Sequence, residues 1–264
     1  MTSTESIDEA TARLAHAVRS GIGCAPVREL IGADGAAAYE VQQRGIATRV
    51  GNGATVLGRK IGLTSAAVQR QLGVDQPDFG VLLSDMAYAD AAELPVDRLL
   101  LPRVEAEIAF VLKADLVTGP FDAETVAQAV DYAVAALEIV DSRITGWDIT
   151  FADTVADNAS AAQYVLGRER VGLDAFVPRE VTMSMSLNGE VASTGAGTAS
   201  LGDPLAALAW LATTALAMGA PLSAGEVVLS GALGPVVPIG ADDFVTATIS
   251  GLGSVQASFV KAPA

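Results

Sequence analysis

One cysteine, one histidine and three lysines in 264 residues remove several chemistries at the outset. Cys24 alone forms no intramolecular disulfide and no C-x-x-C redox or zinc motif, which fits a reducing compartment; a lone thiol of this kind reads as a small core hydrophobe. His16, between Ala15 and Ala17, reads as an ordinary helix side chain; a Ser-His-Asp triad would have to use it, and no G-x-S-x-G elbow is present. Positive charge is scarce as well: 16 Lys and Arg stand against 31 Asp and Glu, a net charge of −15 with no basic run. A nucleic-acid backbone would be repelled, so no nucleic-acid partner is expected, and a small anionic substrate would need a local positive centre. Long apolar runs are missing too. The charge-free stretch from Pro204 to Gly225 is interrupted by Thr213, Thr214, Gly219 and Pro221, and its helical part falls short of the ~20 residues a bilayer requires, so no membrane association is expected. The opening MTSTESIDEATARLAHAV has acidic residues where a secretory signal has basic ones, and a cytoplasmic protein is the expectation.

What is present is apolar: 51% of residues are hydrophobic and mean hydropathy is +0.41, the composition of a compact globular chain. Ile7, Ala10, Leu14 and Ala17/Val18 recur at helical spacing and a second helical stretch spans about Gly35 to Val50, so a small, mainly helical region over residues 1–54 precedes a core over 55–264. In the core, TVLGRKIGLTS reads as a strand, Ala66 to Leu72 as a short helix, and LPRVEAEIAFVL as a strand. A helix is predicted from about Asp122 to Leu137, running into the apolar EIV segment. VTMSMSLNGEVASTG is a hairpin whose Asn188-Gly189 suits the two positive-φ positions of a type I′ turn. Asp203-Pro204 starts a helix that Gly219 and Pro221 close, with Leu205, Leu208, Ala212 and Leu216 as its buried stripe, and the last section, VVLSGALGPVVPI and DFVTATISGLGSVQASFV, is strand punctuated by glycine. The class is α+β, with a mixed sheet curled on itself rather than doubly wound.

Within LPRVEAEIAFVL, alternation sends Val104, Ala106, Ile108, Phe110 and Leu112 to one face and Arg103, Glu105 and Glu107 to the other. On an edge strand this is ordinarily a solvated face. Glu138 complicates it, being the one charge in AVAALEIV, where an isolated carboxylate must be paired, protonated or metal-bound. If Glu138 meets the pair, carboxylates ~4 Å apart repel by roughly 4 kcal/mol at an effective dielectric of about 20, and a hard cation such as Mg2+ or Mn2+ removes the conflict. Nothing local brings Glu138 there. Lys60 shares a strand face with Gly58 and Gly62, which clear space for a ligand or a close backbone approach; an exposed strand lysine is the plain alternative. The glycine-rich 195–202 segment lacks G-x-G-x-x-G spacing and follows a hairpin, so no dinucleotide site is expected.

In order, GRKIGLTSAAVQRQLGVDQPDFGVLLSDM, LPRVEAEIAFVLKADL, ALEIVDSRITGW, DTVADNAS and GEVVLSGALGPVVPI resemble the 2-keto-4-pentenoate hydratase/4-oxalocrotonate decarboxylase family of the fumarylacetoacetate hydrolase superfamily. The resemblance implies a mixed β-roll core, a homo-oligomer, possible association with a neighbouring pathway enzyme, and a divalent metal, Mg2+ or Mn2+, on Glu105, Glu107 and Glu138. It further implies acid/base roles for Lys60 and Asp78 and substrate contacts at Leu63, in the K-I-G-L-T-S motif, and Ser160. The implied activity is hydration of 2-hydroxypenta-2,4-dienoate in the meta-cleavage catabolism of aromatic compounds. The alternatives are decarboxylation of 4-oxalocrotonate at the same metal site, or a non-catalytic subunit of a pathway complex.

Overall fold

The computed structural model describes residues 2–66, 69–70 and 73–261; the helix expected over Ala66 to Leu72 therefore falls largely outside the described residues. The chain opens with α1 (Thr4–Ser20), capped by the Ser3 hydroxyl accepting from Ser6 N–H and closed by Gly21 at φ 65°. A short α2 (Arg28–Ile31) follows, then α3 (Gly35–Gly51), whose N-cap Asp34 accepts from Ala37 N–H. Ile7, Ala10, Leu14, Val27, Ile31, Ala37, Ala38 and Val41 from these helices pack with Ile144, Ala152, Val155 and Ala156 from the middle of the chain, so the helical region is glued to the core by a shared apolar cluster.

Two sheets follow. The larger contains β1 (Val56–Gly62), β2 (Asp78–Leu83), β3 (Ala87–Ala89), β5 (Arg103–Leu112), β6 (Val130–Val140), β7 (Ala161–Leu166), β10 (Val227–Leu229) and β11 (Val237–Pro238), in the order β2-β1-β10-β5-β6-β7-β3 with β11 beside β5. The smaller runs β4 (Ala92–Pro95), β13 (Gly253–Val260), β12 (Phe244–Ile249), β8 (Thr182–Leu187), β9 (Glu190–Ala196). Both parallel and antiparallel pairs occur, as the mixed-sheet expectation required. The β8–β9 hairpin turns at Asn188 (φ 54°) and Gly189 (φ 88°), the positive-φ pair its sequence announces.

The predicted helix from Asp122 to Leu137 is half wrong. Asp122 does cap a helix, α4, but it stops at Ala129 (Ala123–Ala129), and Val130 starts β6. From Ala133 onward every residue of β6 is buried, because β5 and β7 flank it and both sheet faces are covered. A strand buried on both faces shows no two-residue alternation, and its alanines carry helical propensity that pairing overrides. The stripe of the later helix α6 (Pro204–Ala217) also shifts: Ala207, Leu208, Leu211, Ala212 and Ala215 are buried, while Leu205 and Leu216 are only half-buried. That face packs on the core formed where the even residues of β5, Val104 to Leu112, meet Met183, Met185, Val245, Ala247 and Phe259 of the smaller sheet. The odd residues of β5 point the other way. β5 is thus an interior strand, and Glu105 and Glu107 do not lie on a solvated edge.

Candidate metal and acid–base centre

Strand register brings the candidate residues to one face. Glu105 pairs directly with Glu138 across β5–β6, and Glu107 lies two residues farther along the same face. Ala109 of that face pairs with Leu229 of β10, Leu229 with Lys60 of β1, and Gly62 of β1 with Asp78 of β2. Residues in register on adjacent strands share a face, so Asp78, Lys60, Glu107, Glu105 and Glu138 converge although the first and last in sequence are 78 positions apart, from 138−60. Gly58 and Gly62 serve different ends: a β-carbon on Gly58 would overlap the Val227 carbonyl of β10, whereas one on Gly62 would overlap Asp78 Oδ1 and come within 3.6 Å of Lys60 Nζ. The missing side chain at Gly62 leaves the space that the Asp78 carboxylate enters beside the Lys60 amine.

Glu107 and Glu138 are fully buried, Glu105 is half-buried, and one carboxylate oxygen from each lies within 4.8 Å of the others. At that separation each pair of anions repels by roughly 3 kcal/mol with an effective dielectric of about 20, so three bare carboxylates are not stable together. Lys60, 2% exposed, offsets part of this with Nζ 3.0 Å from Glu138 Oε1, an ion-pair contact outside hydrogen-bond geometry. Glu107 Oε2 accepts the Gly231 N–H at 2.7 Å, yet Glu107 Oε1 and Glu138 Oε2 are buried with no hydrogen-bond donor. Buried, unpartnered carboxylate oxygens facing one another fit a divalent cation, and an all-oxygen donor set suits a hard one.

The protonation equilibria report the same crowding. Burial, then the charge of Glu138, pushes Glu105 up to about 7, and burial with Glu138 and Glu105 holds Glu107 well above the usual carboxylate range. Burial lifts Asp78 to about 6 against the opposing pull of Lys60 and of Thr154, whose hydroxyl donates to Asp78 Oδ2 at 3.2 Å. Burial pulls the Lys60 ammonium down, but Glu138, Asp78, Glu105 and Glu107 together outweigh it and leave the pKa raised. An acid whose pKa is higher in the folded than in the unfolded state contributes stability that is lost as pH rises from ~4 through ~7. The magnesium-induced rise in melting temperature is therefore expected to be larger at about pH 8 than at about pH 5, where protons already quench the repulsion. Thermal unfolding with EDTA or Mg2+ at both pH values measures it; equal increments would contradict the crowding.

Leu63 directly follows Gly62 at the end of β1 and Ser160 directly precedes β7, both in left-handed backbone, at φ 56° each. The Leu63 carbonyl accepts from the Gln69 amide at 2.8 Å. Ser160 ends a run of three positive-φ residues with Asn158 and Ala159, costly for residues with a β-carbon, and its Oγ is buried without a partner. The run is held from both sides: the Asn158 amide pairs with the backbone of Val81 at 2.7 and 2.9 Å, and the Arg143 guanidinium binds the carbonyls of Asp141, Asp157 and Ala161. Arg103 leaves the carboxylates and stacks 4.5 Å over Trp147, beside a 500 Å3 cleft also lined by Pro102, Pro238 and Lys261. His16 is exposed and Cys24 half-buried. Sequence reasoning assigned no role to Thr154 or Gly231, although both lie in the quoted DTVADNAS and LSGALG stretches.

Residues 58–260 match the family model described as "Fumarylacetoacetate (FAA) hydrolase C-terminal". A 2-keto-4-pentenoate hydratase of Burkholderia vietnamiensis is 50% identical over 262 residues, covering 99% of this chain and 100% of the relative. The chain belongs to the 2-keto-4-pentenoate hydratase/4-oxalocrotonate decarboxylase family of the fumarylacetoacetate hydrolase superfamily. A 2-hydroxyhexa-2,4-dienoate hydratase of Comamonas testosteroni is 40% identical over 267 residues, covering 99% of this chain and 100% of the relative. Among solved structures, the 4-oxalocrotonate decarboxylase of Pseudomonas putida G7, complexed with magnesium and adipate, superposes with a TM-score of 0.95 at 31% identity, covering 98% of this chain and 99% of that one. The family fold expected from the motifs is thus observed. Among the described residues, no helix is long and apolar enough to cross a membrane.

Proposed function

We propose that this family member is a 2-keto-4-pentenoate hydratase, converting 2-hydroxypenta-2,4-dienoate to 4-hydroxy-2-oxopentanoate with Mg2+ or Mn2+ held by Glu105, Glu107 and Glu138. The observation that carries the reading is a buried amine and a buried carboxylate, Lys60 and Asp78, placed on either side of the space a side chain at Gly62 would fill, on the face that also presents three crowded carboxylates. The full-length 50% identity to a named hydratase favours hydration over decarboxylation. When bound, the cation supplies Lewis acidity toward the substrate's carboxylate and 2-oxygen.

The protein's own groups carry the proton traffic. Neutralising the three carboxylates removes Glu138, the largest of the charges that hold the Lys60 pKa up, together with Glu105 and Glu107, and leaves only Asp78 opposing the downward pull of burial, so the ammonium becomes a stronger acid. Lys60 donates to C5 of the dienol and takes up the proton that the 2-hydroxyl releases, giving the 2-oxo-3-enoate. Asp78, with a pKa near 6 and oriented by Thr154, is mostly ionised at neutral pH and takes a proton from the water that adds at C4, while the Lys60 ammonium delivers a proton to C3, giving 4-hydroxy-2-oxopentanoate. Ser160 Oγ and the Leu63 backbone are the proposed substrate contacts. The same reading makes the enzyme a cytoplasmic homo-oligomer able to associate with a neighbouring pathway enzyme, supported by the family resemblance.

The competing reading uses the cluster as an electron sink while CO2 leaves a 2-oxo dicarboxylate, and the neighbouring decarboxylase structure is its support. Purified protein with Mg2+, offered both substrates, is expected to consume the dienoate absorbance without releasing CO2. CO2 from 4-oxalocrotonate with no turnover of the dienoate would establish the decarboxylase instead, and no turnover with no metal binding would make the chain a non-catalytic subunit.

A further inference from the structure

The helical region ahead of the matched residues 58–260 touches the elements that carry the acid–base pair through a buried amide. Gln42, on α3, is 3% exposed, and its Nε2 donates to the Phe79 carbonyl at 2.9 Å and to the Val155 carbonyl at 3.0 Å. Phe79 directly follows Asp78 on β2, and Val155 directly follows Thr154 on the short helix α5 (Phe151–Ala156). The two acceptors are therefore the chain neighbours of the two residues joined by the Thr154 Oγ1 to Asp78 Oδ2 hydrogen bond. One turn earlier on α3, Tyr39 stacks on Phe79 with ring centroids 4.9 Å apart and an interplanar angle of 25°, fixing the same dipeptide from a second point. β2 is an end strand of its sheet with β1 as its one strand partner, and the Asn158 amide holds it at Val81, three residues beyond Asp78, so Gln42 and Tyr39 hold the end that carries Asp78.

We propose that Gln42 is a positioning residue: its amide ties β2 to α5 so that Thr154 holds the Asp78 carboxylate toward Lys60 and the substrate. The two primary-amide hydrogens point to two carbonyls on different elements, a geometry that neither a methionine nor a leucine can reproduce. The helical region then completes the catalytic face instead of merely flanking it. The inference rests on the proposed role of Asp78.

The test measures kcat, KM and Mn2+ affinity of the full chain for Gln42→Met, Thr154→Val, the double variant and Asp78→Asn. Gln42→Met and Thr154→Val are each expected to lower kcat by about 10- to 100-fold, with KM and Mn2+ affinity changing little, as for loss of orientation rather than of binding. Because both act through one hydrogen bond, the double variant should be no slower than the slower single. Normal kcat in a folded Gln42→Met protein, or multiplied losses in the double variant, overturns the inference. Asp78→Asn with undiminished kcat would instead sink the reading of Asp78. Should Gln42→Met fail to fold, Gln42→Leu, which likewise donates to neither carbonyl, carries the same expectation, and Thr154→Val tests the same hydrogen bond from its other side.

Discussion

Glu107→Ala is expected to abolish turnover and metal binding together. Glu107 is the fully buried member of the E-x-E pair, with one oxygen fixed by the Gly231 N–H and the other unpartnered toward Glu105 and Glu138. Removing it takes one anionic donor out of three, and the remaining pair, partly neutralised by Lys60, no longer competes with water for a hard cation. Since metal-assisted polarisation supplies several kcal/mol of transition-state stabilisation, a loss on the order of 10³-fold or more in kcat/KM follows. The fold should survive: relief of roughly 3 kcal/mol of repulsion per carboxylate pair offsets the lost hydrogen bond to Gly231, worth about 1–3 kcal/mol when a buried donor is orphaned. Calorimetric titration with Mn2+ beside a turnover assay checks both halves. Wild-type metal affinity in this variant would remove Glu107 from the ligand set.

Lys60→Met should separate chemistry from metal binding. The side chain is 2% exposed and methionine fills nearly the same volume, so packing is retained while the amine is lost. In the metal-bound protein the cation, rather than the ammonium, balances Glu138, so Mn2+ affinity is expected to stay within a few-fold of wild type or to rise. Turnover, deprived of its acid, should fall by about 10² to 10⁴-fold, the range for a positioned proton donor. Normal turnover would end the assignment of Lys60. Together the two variants dissect the site: one loses the cation and the reaction, the other only the reaction.

How much of this was legible in the sequence follows from which residues carry local information. The E-x-E strand was legible because β5 alternates between an apolar face and a charged one. The conflict at Glu138 was legible as a lone charge in an apolar run, but its location was not, because β6 is buried on both faces and its alanines read as helix. Only the register, Glu105 opposite Glu138, brings the third carboxylate into place, and register is a property of pairing between segments 33 positions apart, from 138−105. Lys60 read almost equally well as an exposed strand lysine, since nothing nearby in sequence shows that β10 and β2 close around it. The motifs that match the family supplied what spacing lacked. Gln42 and Thr154 stayed silent for a different reason: one is a polar residue on a helix, the other a hydroxyl within a short buried turn, and their meaning arises where α3, β2 and α5 meet.

The central claim is that Glu105, Glu107 and Glu138 together grip one hard dication beside Lys60. The most direct measurement is anomalous diffraction at the manganese edge from crystals soaked in Mn2+ with a non-reactive 2-oxo acid. The account predicts one strong peak enclosed by the three carboxylates, with the 2-oxo acid chelating it and its far end toward Lys60 and Asp78. A peak elsewhere, or none, with the three carboxylates still crowded and bare, would contradict it.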